Sequence, residues 1–393
     1  MDDRAAHFLL SDAGRTVLSS IGEGTGDTLT IGTRLRKHYT DIDPAFLAAA
    51  MELADARRLG VRKFTRARDM YFTRESLEQA TGENVAAHRA ERFSGLESVC
   101  DLCAGIGGDS IALGKVVTHL TCYERDPVRS LFCRENLAVH GITVRMIEED
   151  VGEQVANLQN FDAVFIDPSR RRGSKRTRSL YDMEPPLRTV EKILRMVPRG
   201  AVKLPPSTTR STLSFSHELE WISTAEGLKE AVAWTGDFPR AEISVTLLHR
   251  GVSLCDHELP VGEPPITPAG AYLYEPDPAL IRSELLGRKA ASLGMSLISR
   301  DIAYMTADDF VDDPFFRAFR TVASMKFNLR RLEQTLNDMN VGNITVKKRG
   351  FPMLPEEVIA KLRLRGAASA TVILTRELDV HTAFIVEPIG GTA

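Results

Sequence analysis

The stretch that decides the fold reads Val99-Cys100-Asp101-Leu102-Cys103-Ala104-Gly105-Ile106-Gly107-Gly108-Asp109. It predicts a short apolar strand with an acidic tip, followed by a glycine turn and the start of a helix. Glycines let backbone N–H groups approach a ligand closely, and Asp109 with Ser110 is predicted to cap the helix. The pattern indicates a site for a nucleotide-like cofactor, with an ordinary strand-to-helix turn as the alternative.

The charges around this turn bear on which cofactor it binds. Gly105 and Gly107, with Glu124 about twenty residues later, also begin a dinucleotide-binding fingerprint. The third glycine of that fingerprint would fall at Ser110, however, and the charge of Asp101 would repel a pyrophosphate. S-adenosylmethionine has no phosphate, and its ammonium and sulfonium groups are cationic. We therefore expect S-adenosylmethionine as the cofactor.

Three more carboxylates each follow a predicted strand. The strands span residues 116–123, 143–148 and 161–166, and the carboxylates are Glu124, Asp150 and Asp167. The carboxyl ends of parallel strands meet at one edge of a sheet, so these groups are expected around one ligand. Glu124 is expected to accept hydrogen bonds from ribose hydroxyls, and Asp150 from the adenine amine. For any one of them alone, a solvated loop carboxylate is the alternative.

Residues 96–249 resemble the class I S-adenosylmethionine-dependent methyltransferases. The motif from Asp101 to Asp109 is similar to that of the trimethylguanosine synthase branch and of a bacterial group with a C-terminal THUMP-like domain. The resemblance implies an α/β fold with a Rossmann-like class I methyltransferase sheet. The cofactor-binding residues that we predict are Asp101, Cys103, Ala104, Gly105, Gly107, Gly108, Asp109, Glu124, Arg125, Asp150 and Asp167.

The methyl-acceptor motif of that family falls on Asp167-Pro168-Ser169-Arg170, which we predict to be catalytic. It lacks the second proline and the aromatic residue found in many amine methyltransferases, so their base stacking cannot be transferred. Its arginine resembles the Asp-Pro-Pro-Arg of several RNA methyltransferases. We expect Asp167 to orient a base amine and take up charge as the N–H becomes acidic. A covalent mechanism would need a cysteine nearby, and the next one downstream is Cys255.

Basic segments predict contact with RNA. The basic loop, Arg170 to Arg178, carries six cationic side chains in nine positions and fits phosphate binding at the acceptor site, with a solvated loop as the alternative. Arg62 to Arg68, with an embedded Phe64, predicts either a nucleic-acid contact or a solvated helix face. A basic tip lies at Lys347 to Arg349. The net charge of −3 implies that such binding is local and sensitive to salt.

Length and composition indicate several domains. A chain of 393 residues with 43% hydrophobic content can bury a large core. We predict an N-terminal helical domain over residues 1–94, a cofactor-binding domain over 95–262 and a C-terminal THUMP-like α+β domain over 263–393. The proline-rich segment from Gly262 to Pro268 is interpreted as a linker.

Some classes of protein and site are disfavoured. The sequence has no run of about eighteen apolar residues, and Met1 to Arg4 lacks the features of a signal peptide, so we predict a cytoplasmic protein without membrane contact. Cys100 and Cys103 would face opposite sides of a strand and have no second Cys-x-x-Cys pair. We therefore predict buried thiols and no metal site. The oligomeric state is left open.

The remaining sequence predicts helices before the sheet and an alternating unit after it. One helix begins at Pro44, and another follows Thr73 and runs toward Phe93, where it is expected to help close the cofactor site. Ile243 to Leu248 predicts a late antiparallel strand. Further on we predict strands near 271–274, 320–327, 344–346, 370–375 and 382–387, and helices that begin at Pro278 and span 328–339 and 355–364.

Together these features predict a methyltransferase that acts on a base nitrogen of tRNA or rRNA. Two alternatives stay open. One is a noncatalytic RNA-binding factor with a decayed cofactor fold, suggested by Ser169 and Arg170. The other is a methyltransferase that acts on a small molecule or a protein.

Overall fold

A computed structural model describes residues 1–22, 28–153, 155–169, 171–172, 175–176 and 180–390. The chain divides into two compact units. The first contains Met1–Thr208, Leu213–Glu218 and Ala231–Arg240, and the second contains Thr209–Thr212, Leu219–Glu230 and Ala241–Ala393. The predicted boundaries after residues 94 and 262 stay predictions. No helix in the described ranges is long and apolar enough to cross a membrane.

Helices and strands alternate along much of the chain. The helices are α1 Asp3–Leu10, α2 Asp12–Gly22, α3 Thr28–His38, α4 Pro44–Gly60, α5 Arg74–Gln79, α6 Glu83–Ala90, α7 Gly108–Leu113, α8 Pro127–Val139, α9 Leu187–Leu194, α10 Pro278–Arg282, α11 Leu286–Ser292, α12 Leu329–Asp338 and α13 Pro355–Lys361. The strands are β1 Ser98–Leu102, β2 His119–Tyr123, β3 Arg145–Ile147, β4 Ala163–Ile166, β5 Arg171–Arg172, β6 Lys175–Arg176, β7 Arg199–Leu204, β8 Glu218–Thr224, β9 Gly227–Gly236, β10 Ile243–Leu247, β11 Val252–Cys255, β12 Tyr272–Pro276, β13 Ser296–Leu297, β14 Met305–Ala307, β15 Phe316–Lys326, β16 Val341–Lys348, β17 Ala368–Glu377 and β18 Val380–Pro388.

The first unit is organised around parallel strands in the order β7-β4-β1-β2-β3. Strand β1 is central, and Val99, Cys100 and Leu102 are fully buried, as expected for a strand covered on both faces. Residues 231–236 of β9 pair antiparallel with β7. In the register, Leu102 is level with Tyr123 and Ile166, so β1, β2 and β4 end at the same edge.

Three helices begin with the same Asp-Pro dipeptide. Asp43, Asp126 and Asp277 are the N-caps of α4, α8 and α10, and each carboxylate accepts a backbone N–H in the first turn at 2.8–2.9 Å. Proline fits the first helical position because the N–H that it lacks has no partner there. The helix starts predicted at Pro44 and Pro278 are confirmed.

The single helix predicted from Thr73 toward Phe93 is wrong. The segment forms α5 and α6, with extended backbone at Ala80 and with Gly82 as the N-cap of α6. The ammonium of Lys63 donates to the carbonyl oxygens of Leu77, Glu78 and Ala80 at 2.8–3.1 Å, which satisfies the free end of α5. The break turns residues 80–82 toward the glycine turn.

The second unit contains a sheet in the order β13-β14-β12-β15-β18-β17-β16. Strands β16 and β17 are parallel, and the other pairs are antiparallel. Leu332 and Leu336 of α12 and Val358 of α13 pack in one buried cluster with side chains of β15–β18. The helices and strands predicted between residues 320 and 387 are confirmed, with bounds that differ by a few residues.

Two predictions for this unit need correction. Ile243 to Leu248 was expected to be antiparallel, but β10 runs parallel to β8 and antiparallel only to β11. The proline-rich segment is not a free linker, because Leu297 of β13 donates to the carbonyl of Pro265 and accepts from Thr267 at 2.8–2.9 Å. Backbone hydrogen bonding to a strand therefore overrides the composition of this segment.

Candidate functional site

Two cavities lie at the edge of the first unit where β1, β2 and β4 end, and they share Cys103, Arg129 and Ser169 in their walls. The first has a volume of about 200 Å³. Its other walls come from the end of α5, the glycine turn, the acceptor motif and β7, namely Ser76, Glu78, Gln79, Ala80, Thr81, Ala104, Gly105, Ile106, Gly108, Asp109, Asp167, Pro168 and Lys203.

The second cavity is smaller, at about 80 Å³. It is lined by the residues that follow β2 and β3 and by a segment beyond the basic loop, namely Tyr123, Glu124, Arg125, Glu149, Asp150, Val151, Glu184 and Pro185. The structure therefore brings most of the predicted site residues to two adjoining cavities. Asp101 and Gly107 line neither of them, and Arg170 lies outside the described residues.

Two positions of the turn favour glycine, Gly107 for its backbone angle and Gly108 for its packing. Gly107 has a φ of +88° and is the N-cap of α7. A Cβ atom on Gly108 would lie 3.1 Å from the carbonyl oxygen of Thr81. Glycine therefore permits both the left-handed turn and the close approach of α7 to the segment between α5 and α6.

Glu124 is held against the glycine turn. Its Oε2 accepts from the backbone N–H of Gly105 at 2.8 Å, and its Oε1 accepts from that of Asp126 at 2.9 Å. Each carboxylate oxygen can accept a second hydrogen bond, so the fixed group is still able to bind a hydroxyl in the second cavity.

Asp101 is 1% exposed and lies beneath the turn. Its Oδ2 accepts from the hydroxyl of Ser110, and its Oδ1 has no hydrogen-bond partner within the described part of the chain. Burial, reinforced by the charge of Asp109, raises the pKa of Asp101 well above its usual range. A buried carboxyl with an unsatisfied oxygen fits a cofactor that carries cationic groups, because a cation would stabilise its charged form.

The predicted cap by Asp109 and Ser110 is wrong. Gly107 is the N-cap of α7 and offers no side chain, while Ser110 binds Asp101. Asp109 instead pairs with the guanidinium of Arg89 and accepts from the hydroxyl of Thr81 at 2.9 Å. Arg89 is 2% exposed, so Asp109 joins α6 to α7 through a buried ion pair.

Asp167 contacts Lys203 directly and Thr81 through Lys203, and neither residue was among the predicted site residues. Its Oδ2 accepts from the ammonium of Lys203 at 2.6 Å, and the same ammonium donates to the hydroxyl of Thr81 at 2.9 Å. A lysine between the buried residues Val202 and Leu204 of a strand was a usable signal for Lys203. Thr81 carried no such signal, because its role depends on the break between α5 and α6.

Cys103 has a φ of +67° and borders both cavities. Burial and the neighbouring carboxylates, with Glu124 first and Asp167 next, raise the pKa of the Cys103 thiol well above its usual range. The protonated thiol is a poor nucleophile. Cys100, Cys122 and Cys133 are buried free thiols, which confirms the prediction for Cys100, whereas Cys103 is only partly buried, so the fully buried thiol predicted there is wrong.

The second cavity contains a more exposed ionic group. Arg125 lies 3.3 Å from Asp150 and 2.5 Å from Glu184, and these side chains are about half exposed. The hydrogen bond to Glu184 raises the pKa of Arg125. Asp150 also accepts from the backbone N–H of Gly152 at 2.8 Å.

The basic loop leaves and returns beside this cavity. Ser169 and Glu184 exchange two backbone hydrogen bonds of 2.8 and 2.9 Å across its base. Strands β5 and β6 pair antiparallel within the loop, while Arg170, Gly173, Ser174 and residues 177–179 lie outside the described residues. Phosphate binding by this loop stays a prediction.

Side chains of the other two basic segments make contacts within the folded protein. Phe64 is 1% exposed and packs in the core, so its ring presents no surface to nucleic acid, and contact by the basic side chains of Arg62 to Arg68 stays a prediction. In the basic tip, Lys347 pairs with Glu275 at 2.5 Å, and Arg349 donates to the carbonyl of Ala303 at 2.7 Å. Across the described ranges, no group of three or more His, Cys, Asp or Glu residues is arranged to hold a metal ion.

Comparison with known proteins identifies similar chains. The THUMP domain-like family model matches residues 316–388. Two uncharacterised S-adenosylmethionine-dependent methyltransferases of Mycobacterium tuberculosis, from strains CDC 1551 and H37Rv, are each 32% identical over 331 residues, which is 81% of this chain and 88% of each relative. A crystal structure from Porphyromonas gingivalis W83, provisionally described as a methyltransferase, has a TM-score of 0.79 at 19% identity and covers 98% of both chains. This last likeness confirms the predicted α/β fold.

Proposed function

The chain belongs to the S-adenosylmethionine-dependent methyltransferases, and we propose that it methylates a base nitrogen of structured RNA. S-adenosylmethionine is its cofactor, and residues 316–388 form a THUMP-like domain. Membership in an enzyme family argues against the noncatalytic RNA-binding alternative.

One observation carries the proposal. The carboxylate of Asp167 borders the same cavity as the glycine turn and is held there by Lys203 at 2.6 Å. A methyl acceptor in this cavity would therefore lie between a fixed carboxylate and the residues assigned to the cofactor. Positioning of this kind supplies much of the rate enhancement in a displacement on an already activated methyl group.

We assign the cofactor to both cavities. Glu124 would bind the ribose hydroxyls and Asp150 the adenine amine, since both border the second cavity. Cys103 borders both cavities and would lie beside the junction of the adenosine and methionine parts. When bound, S-adenosylmethionine supplies a methyl group on a cationic sulfur.

The acceptor motif would act on the amine. Asp167 would accept a hydrogen bond from the amine N–H, which directs the nitrogen lone pair toward the methyl group. As the nitrogen gains positive charge, the carboxylate would stabilise it and take up the released proton. The backbone around Pro168 and Ser169 would complete the acceptor pocket. The protonated Cys103 thiol supports a direct transfer over a covalent route.

RNA is the acceptor class that the flanking features favour. The basic loop lies between Ser169 and Glu184, which pair with each other beside the cavities, and the THUMP-like domain provides a second element suited to RNA. An affinity for bulk RNA that falls with salt concentration would support this class. An affinity for bulk RNA that does not change with salt concentration would favour the alternative of a small molecule or a protein as the methyl acceptor.

The motif from Asp101 to Asp109 also supports a relationship to the trimethylguanosine synthase branch. We include this relationship in the proposal. The proposal also includes the division into three domains after residues 94 and 262.

Mass spectrometry of nucleosides tests the function. RNA from a strain that lacks the gene is digested and compared with RNA from its parent, and from the deletion strain complemented with the intact gene. We expect one methylated base to disappear in the deletion strain and to return on complementation. Identical nucleoside profiles in tRNA and rRNA would contradict the proposal.

A further inference from the structure

We propose that Lys203 and Thr81 are positioning residues that hold the Asp167 carboxylate in its orientation toward the methyl acceptor. This inference rests on the proposed role of Asp167. The ammonium of Lys203 donates to Asp167 at 2.6 Å and to Thr81 at 2.9 Å, and the hydroxyl of Thr81 donates to Asp109 at 2.9 Å. Asp109 is in turn paired with Arg89.

These residues form a hydrogen-bonded series in the order Arg89, Asp109, Thr81, Lys203 and Asp167. The direction of the hydrogen bonds made by Thr81 and Lys203 in this series is determined. An ammonium only donates, and a hydroxyl has a single proton. Since Thr81 gives that proton to Asp109, its oxygen is left to accept from Lys203. The position of Lys203 is thus set from two sides, by Thr81 and by Asp167, and a second orientation of the series would break at least one bond.

The series is shielded from water over most of its length. The side chains of Lys203 and Asp167 are 14% and 27% exposed, Thr81 is 7% exposed and Arg89 is 2% exposed. Charge-assisted hydrogen bonds of this length are strong where water competes little. The fifth member, Asp109, is 11% exposed, so Asp167, the member nearest the acceptor, is the most exposed of the five, as a group that must contact a substrate requires.

The series links the catalytic edge to the helical segment before the sheet. Thr81 lies at the break between α5 and α6, and a Cβ on Gly108 would meet its backbone at 3.1 Å. Residues 76–81 also form a wall of the first cavity. We infer that this wall does more than close the site: it orients Asp167 through Lys203.

Substitutions of Lys203 and Thr81 test the inference in the full chain, with single-turnover methylation of RNA from the deletion strain as the main readout. Lys203→Met keeps the length of the side chain and removes the charge, and we expect the rate to fall about 10- to 100-fold. Thr81→Val removes only the hydroxyl, and we expect a loss of about fivefold, the effect of one hydrogen bond. Thr81→Ser restores the hydroxyl and should recover most of the rate.

Calorimetric titration with S-adenosylmethionine separates positioning from general damage. Donor affinity should fall far less than the methylation rate in each variant, because Glu124 and Asp150, which would bind the adenosine part of the donor, border the second cavity and lie outside the series. Lys229→Met is the matched control. Lys229 lies in β9 and pairs with Glu226, and it borders neither cavity, so this variant should retain the rate of the intact protein.

A double variant distinguishes the two proposals. In the Asp167→Asn background, Thr81→Val should cause no further loss, since the group that it positions is already absent. Full activity in Lys203→Met, or additive losses in the double variant, would overturn the positioning role and leave the proposed function intact. Failure of the intact protein to methylate any RNA would overturn the proposed function itself.

Discussion

The two cavities at this edge differ in how the protein holds its charged groups. In the first, the side chains of Asp167, Lys203 and Asp109 are between 11% and 27% exposed, and each is bound by another side chain. In the second, Arg125 and Asp150 are 51% and 45% exposed. Water screens the second group strongly and the first only weakly. We conclude that the protein itself fixes the geometry where methyl transfer is proposed and, through Glu124, on the ribose side, and that Arg125 and Asp150 at the adenine end are left more adaptable.

The largest effect is expected at Asp167. Asp167→Asn keeps the shape of the side chain and removes the charge that would stabilise the reacting amine, so the methylation rate should fall by at least about 100-fold. Donor affinity should change little, which calorimetry would check on the same sample. A variant that methylates RNA at the normal rate would show that Asp167 has no chemical role.

A smaller effect is expected at Lys63, which supports the cavity wall from outside. Lys63→Met removes three hydrogen bonds to the end of α5, and we expect a loss of about 1–2 kcal/mol in the free energy of unfolding. The methylation rate should fall several-fold, because the wall from Ser76 to Thr81 loses its support. Denaturant unfolding and single-turnover kinetics would measure both, with Lys229→Met as the control. An unchanged rate with reduced stability would mean that the wall keeps its position without Lys63.

The buried carboxyl of Asp101 should make stability depend on pH. Its raised pKa in the folded state means that its contribution to stability is complete only when it is protonated, and is lost as the pH rises through that folded-state pKa. Asp101→Asn has no charge at any pH. The melting temperature of this variant, relative to that of the unsubstituted protein without ligand, should therefore increase between about pH 5 and pH 9. A difference that stays constant over this range would show that Asp101 keeps an ordinary pKa.

The smallest effect is expected in the second cavity. Arg125→Ala removes two half-exposed ion pairs, so the free energy of unfolding should change by less than about 1 kcal/mol. Donor affinity should differ from that of the intact protein by no more than about threefold, and this difference should disappear at high salt. If Arg125→Ala lowered the methylation rate as much as the loss expected for Lys203→Met, the two cavities would not differ in how firmly their charged groups are held.

Structure that depends on neighbouring residues could be predicted from the sequence. The glycine turn after β1, the Asp-Pro helix starts at Asp43 and Asp277, and the alternation of elements after residue 316 were all predicted from local patterns. The carboxylates Glu124, Asp150 and Asp167 follow strands that end at one edge, which general rules for parallel sheets anticipate.

Structure that depends on residues far apart in the chain could not be predicted from the sequence. The break between α5 and α6 depends on Lys63, which lies more than ten residues earlier, and the predicted cap at Asp109 was lost to Arg89 and Thr81. Lys203 meets Asp167 only because β7 pairs with β4. Such contacts join segments far apart in the chain, and local propensity carries no information about them.

Transfer of an isotope-labelled methyl group tests the central claim most directly. The purified protein is incubated with labelled S-adenosylmethionine and RNA from the deletion strain, and the digested nucleosides are analysed by mass spectrometry. We predict that the label enters one base at a nitrogen atom, and that Asp167→Asn slows this incorporation by at least about 100-fold while still binding the donor. Incorporation at carbon or ribose, or none into any RNA by protein that binds the donor, would contradict the account.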